Sequence, residues 1–189
     1  MLTLTMQRSI GYVALSGDEM KLLPALAVIL MLAGCAASGG ATLAETKSPT
    51  QLLRNEASSR LDSTSIDTIS EQQDYSAACR DNDPDGLYRS WRSTLLVSVP
   101  EGAAVGVDQV VGALATSFAV DGWTLSNTDG AQAEQITSLV RSDTPVALTF
   151  TATEDEDGDG YGASVFIEAA GACVLTNGPD STEVRQLEK

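Results

Sequence analysis

Over residues 91–99 the side chains alternate, with Trp91, Leu95, Val97 and Val99 on one side and Arg92, Thr94 and Ser98 on the other. A period of two marks a half-buried strand, and Pro100-Glu101-Gly102 ends it. The period then changes. Val107, Val110, Val111, Leu114 and Phe118 recur at helical spacing, and the stripe stops at Gly122, a residue suited to the C′ position of a helix. Three short strands follow, over 123–126, 136–141 and 146–153; the last carries Val146, Leu148 and Phe150 on one face. Asp143-Thr144-Pro145 is the turn between the last two. A further strand over 163–169 sets Val165 and Ile167 against Phe166 and leads to Cys173. Upstream, Ser48-Pro49 reads as an N-cap and N1 proline. They open a helix with Leu53, Ala57 and Leu61 at four-residue spacing, continuing toward Ile66 and Ile69.

One strand, one helix and then strands joined by short turns predict an α+β fold. Its expected form is an antiparallel sheet of about four to five strands with helices packed on one face. The first and last of these strands are expected to be neighbours. The domain is expected to occupy 48–176, followed by a polar, disordered tail over 177–189. Ahead of it, 35–47 reads as a flexible tether, since 36–46 is rich in Ala, Ser, Gly and Thr with almost no bulky apolar residue.

The apolar run over 22–33 is about a dozen residues long, whereas a helix needs roughly 20 to cross a hydrocarbon core. Behind Lys21 and ahead of small residues, it has the layout of a secretory signal over 20–34. Asp18 and Glu19 would put negative charge where such a signal is basic, so translation is expected to start at Met20, with 1–19 an artefact of start-codon assignment. The junction Leu32-Ala33-Gly34-Cys35 resembles the lipobox of bacterial lipoproteins. That resemblance implies a diacylglyceryl group on the Cys35 thiol, acyl chains of the palmitate type, cleavage after Gly34, and a chain held at the extracytoplasmic face of the cell membrane. Two or more acyl chains anchor stably because each buried methylene contributes about 0.8 kcal/mol.

The chain of 189 residues carries a formal charge of -15. The segment ahead of Cys35 balances Arg8 and Lys21 against Asp18 and Glu19, so this charge stays on the exported part. Such a surface repels phosphate backbones, which argues against nucleic acid as a partner. With Cys35 assigned to lipid, Cys79 and Cys173 remain, and in an oxidising compartment that pair reads as a disulfide.

Asp155, Asp157 and Asp159 followed by Gly160 resemble the first half of an EF-hand loop, a spacing that suits Ca2+. Asp81-Asn82-Asp83-Pro84-Asp85-Gly86 repeats the theme. Neither has the glutamate expected six residues after the glycine, where Phe166 and Arg92 stand. A solvated turn explains both as Asp and Gly acting as turn formers. Trp91 and Trp123 could offer an aromatic platform, but their apolar neighbours favour core packing. Tyr88 and Tyr161 flank the acidic turns. The chain has no histidine, which removes the Ser-His-Asp arrangement and most zinc sites. No phosphate-binding glycine loop occurs, and the carboxylates cluster in turns rather than around a cleft, which disfavours a carboxylate hydrolase.

The acidic, lysine-poor mature chain, with one cysteine pair near the ends of its domain, is similar to small lipoproteins of actinobacteria. The expectation is a non-enzymatic binding or accessory module of the cell envelope. It would be joined to the membrane by its lipid and meet an envelope protein or a small ligand. The alternative is a calcium-dependent surface module built on 154–160.

Overall fold

The computed structural model describes residues 41–100, 102–131, 134–154 and 162–189. The first element is α1 (Leu43–Ser59), and its start is not the expected one. Thr42, not Ser48, is the N-cap. Its hydroxyl accepts the Glu45 N–H at 3.3 Å, and the Glu45 carboxylate accepts the Thr42 N–H at 2.7 Å, a reciprocal capping box. Pro49 therefore lies inside the helix, at a cost that can reach about 3 kcal/mol. Burial offsets that cost, because Leu43, Thr46, Thr50, Leu53 and Ala57 all pack away from water. The stretch expected as tether over 35–47 thus gives up its second half to the helix.

Among the described residues seven strands form one antiparallel sheet, more than the four to five expected. They are β1 (Ile69–Ala78), β2 (Tyr88–Ser98), β3 (Thr124–Ala131), β4 (Glu134–Val140), β5 (Ala147–Thr153), β6 (Ser164–Ala170) and β7 (Val174–Leu175). The order is β1-β2-β6-β5-β4-β3, with the two-residue β7 also pairing with β2. Strand β2 lies beside β6 in the register Arg92 to Ala170 and Ser98 to Ser164, so the first and last of the expected strands are hydrogen-bonded neighbours. Strand β1 replaces the expected continuation of the first helix. Its residues Ile69 to Gln73 are exposed, and pairing with β2 alone holds them extended.

On one face of the sheet, Leu95, Val97, Leu148, Phe150, Val165 and Ile167 are buried against α1 and α2 (Val107–Val120). From α2 come Val107, Val110, Val111, Leu114 and Phe118, the stripe expected from the sequence. Gly122 follows at φ +83°, as its predicted C′ role requires. The Phe118 ring meets Trp123 edge-on at 5.7 Å, and the Arg60 guanidinium lies 4.0 Å from the Phe118 centroid. Arg60 also donates to Ser117 O at 2.8 Å and pairs with Glu56 and Asp121, so it ties the end of α1 to the end of α2.

A second, smaller core gathers Leu43, Trp91, Val174 and Val184. It exists because residues 182–187, expected within a disordered tail, form α3 (Thr182–Leu187), capped by the Ser181 hydroxyl. The physical reason is a single apolar side chain, Val184, which becomes fully buried. The Lys47 ammonium sits 4.6 Å from the Trp91 ring centroid and donates to Leu187 O, and the Glu188 carboxylate accepts from Ser76 N at 3.0 Å and Ser76 Oγ at 2.8 Å. The Ser76 contact covers part of the β1 edge.

Candidate recognition face

Cys79 and Cys173 form the expected disulfide, with Cα atoms 5.8 Å apart and a sequence separation of 94. Cys35, assigned to lipid, lies outside the described residues, as do Asp155, Asp157, Asp159 and Tyr161. Among the described residues no group of three or more Cys, Asp or Glu side chains is placed to hold a metal ion. In the other acidic segment, the Asp83 carboxylate accepts the Tyr88 N–H at 2.6 Å and Gly86 N donates to Asp83 O at 3.1 Å. Asn82 and Gly86 take φ of +63° and +60° there. That segment is a turn, as expected. Both tryptophans are core residues, with Trp91 fully buried and Trp123 nearly so. Tyr88 stacks under the Arg80 guanidinium at 3.5 Å.

The helix-facing side of the sheet carries one polar chain across its joint with α1. The Thr50 and Ser93 hydroxyls are 3.0 Å apart, Ser93 Oγ donates to Asp74 Oδ1 at 2.6 Å, and Arg54 reaches Asp74 Oδ2 at 3.1 Å. Burial alone would raise the Asp74 pKa. Hydrogen bonds from Ser93 and Arg54, with the Arg54 charge, outweigh it and hold the carboxyl below its usual 3.8. These groups satisfy one another inside the fold and offer nothing outward.

The opposite side of the sheet is different. Register places Tyr75, Arg92 and Ala170 in one row, Gln73, Thr94, Glu168, Thr149 and Ser138 in the next, and Leu96, Phe166, Thr151 and Ile136 in a third. Most of these side chains are half-buried, because neighbours on the sheet shield one another while none of the described helices lies over them. Glu168 accepts from Arg92 Nη1 with both oxygens, at 3.3 and 3.1 Å. Arg92 Nε keeps a buried hydrogen with no acceptor among the described residues. Ser138 and Thr149 hydroxyls meet across strands at 3.2 Å.

At about 4.8 Å between strands and about 3.4 Å per residue, six strands of roughly seven residues present on the order of 600 Å². That approaches the ~800 Å² each partner contributes to a standard protein interface. By contrast, the hollow between Leu61, Val105, Val110 and Leu114 holds only about 220 Å³, while a separate groove beside Cys173 holds about 430 Å³, within the ~300–1,000 Å³ of small-ligand pockets. The sequence places Arg92, Thr94 and Phe166 on the outward side by alternation alone. It does not reveal Tyr75 or Glu168 as part of this face, because β1 shows no alternation and Glu168 gains its partner only through the β2–β6 pairing.

No protein-family model matches the chain, and no match was found among curated proteins or among solved structures.

Proposed function

We infer that this chain is a membrane-anchored extracytoplasmic lipoprotein, and that its α+β domain is a small binding or accessory module of the cell envelope. The observation that carries this reading is the Cys79–Cys173 disulfide. The chain has three cysteines, and this bond pairs two of them, so Cys35 behind its lipobox-like junction is the one thiol left for a lipid. A disulfide closing most of the domain also belongs to an oxidising compartment. The partner is an envelope protein, and the face around Arg92, Glu168 and Phe166 is where it binds. Aromatic and arginine side chains among hydroxyls suit a protein interface, and the area is that of a protein contact rather than of a pocket. The calcium-dependent version of the module, using Asp155, Asp157 and Asp159, is supported by sequence spacing alone.

The test of the anchor is Cys35→Ser. The parent is expected to fractionate with membranes and to carry diacylglyceryl mass, while the variant loses both; a variant that keeps membrane association with unchanged mass overturns the reading. The recognition face is tested with a photo-crosslinking amino acid at Thr151, compared with one at Leu52 on the outer side of α1. Adducts in native envelope are expected from Thr151 and not from Leu52, and they should fall when Arg92→Glu is added. Equal adducts from both positions would remove the face from the proposal.

A further inference from the structure

The capping box at Thr42 sets where the rigid domain begins, and so how far it can stand from a lipid on Cys35. Residues 36–41 are six in number. At no more than ~3.6 Å per residue they span at most about 22 Å, whatever their conformation. A tether that ran to residue 47 would reach nearly twice as far and would leave the domain free to turn.

The point of attachment is equally defined. Ala41, Thr42 and Leu43 line a groove of about 430 Å³ with Ala172, Cys173, Val174, Leu175 and Glu183. This groove lies at the end of the sheet where the disulfide joins the close of β1 to the segment after β6. Leu175, one of its lining residues, is 66% exposed and so presents an apolar side chain to the outside at this end.

Charge is distributed along the same axis. At the far end of the sheet, the described residues 61–73, 98–100, 102–108, 127–131, 134–136, 151–154 and 162–166 contain Asp and Glu but no Lys or Arg. Register joins their strands there through Ser98 to Ser164, Thr153 to Ser164 and Glu134 to Thr153. At the disulfide end Lys47, Arg80, Arg89, Arg141, Arg185 and Lys189 largely offset Glu45, Asp81, Asp83, Asp85, Asp143, Asp180, Glu183 and Glu188, so this end is only weakly acidic. Strands of about seven residues separate the two ends by roughly 24 Å, two to three Debye lengths at physiological salt. An anionic bilayer therefore repels the far end much more than the near one.

We propose that the groove between the first turn of α1 and residues 172–175, with Leu175 on its rim, is a membrane-contact surface that rests on the lipid headgroups of the bilayer holding Cys35. This orientation rests on the anchor reading above. It turns the acidic end of the domain away from the membrane. The short tether and the position of Thr42 select the surface, and the charge axis fixes its sense.

The test uses the acylated protein in vesicles of phosphatidylcholine and phosphatidylglycerol that include a phosphatidylcholine with a nitroxide on its headgroup. Added tryptophans report proximity, and the native Trp91 and Trp123 give a constant background. Emission added by Leu175→Trp is expected to be mostly lost to the nitroxide, and that added by Ile69→Trp, at the far end of β1, to be kept. Asn177→Trp, also exposed near β7, repeats the measurement should the first variant not fold. Inserting twenty Gly and Ser residues after Gly40 is expected to release the quenching. Acylated, vesicle-bound protein with equal quenching at 175 and 69, or with none at 175 and 177, overturns the orientation and leaves the anchor standing. A protein without lipid mass that does not bind vesicles overturns both.

Discussion

The guanidinium of Arg54, 3% exposed, lies 3.1 Å from the Asp74 carboxylate and joins α1 to the edge strand β1. Removing one member of a buried pair leaves the other charge without compensation, and this costs more than the pair itself contributes. Arg54→Ala is expected to cost about 3 kcal/mol, the low end for such a pair, because the Asp74 side chain remains a quarter open to water. Chemical denaturation reads this directly.

Asp74 also determines part of the acid response. Its carboxyl is held below 3.8 in the folded chain. A depressed folded pKa contributes stability that is present above the unfolded value and is lost as pH falls through the folded one. Stability should therefore drop below about pH 4, and Asp74→Asn should flatten that limb while lowering stability at neutral pH. An unchanged acid limb in the variant would remove Asp74 from the account.

Gly171 carries no side chain because Thr46 of α1 occupies the space. A Cβ built on Gly171 would lie 2.6 Å from Thr46 Cβ, and Gly171 N donates to Trp91 O at 2.9 Å, which holds the backbone in place. Gly171→Ala is expected to destabilise by about 1–3 kcal/mol, as overpacking does. A thermal shift near zero would show that α1 can move aside.

Replacing Cys79 and Cys173 together by serine opens a loop with a sequence separation of 94. The chain-entropy account assigns a loop near 100 residues about 4.7 kcal/mol, and measured losses in small secreted domains run at about 2–5 kcal/mol. Urea unfolding of oxidised and reduced protein checks the value. A loss under about 1 kcal/mol would point to an unfolded state already compact near these residues.

Val184 should report the docking of α3. It is fully buried beside Trp91, so Val184→Asp is expected to free the helix, expose Trp91 and shift its emission to the red. The large core under α2, with Trp123, should stay intact. Loss of the whole fold in this variant would show that the two cores are one cooperative unit.

Where a segment's own side chains decide its environment, the sequence is informative. The inward set of β2 and the stripe of α2 are buried as expected, because each faces a core it helps to build, although Thr94 on the outward side of β2 is buried too. The disulfide was legible from the number of cysteines once Cys35 had been set aside. Strand β1 was not legible: ISEQQDYSAA has no apolar face, and it is extended only because the backbone of β2 offers hydrogen-bond partners along its whole length.

Local chemistry along the chain thus determined the α+β class, the cysteine pair, the second helix and the outward position of Arg92 and Phe166. Tertiary structure decided the start of α1, since Ser48-Pro49 and Thr42-Glu45 are both adequate caps and only burial of Leu43, Thr46 and Thr50 selects the longer helix. It likewise decided that residues 182–187 are helical, through one valine over one tryptophan. Both decisions depend on contacts between residues more than 40 apart in sequence, such as Thr50 with Ser93 and Trp91 with Val184, and no local periodicity encodes such contacts.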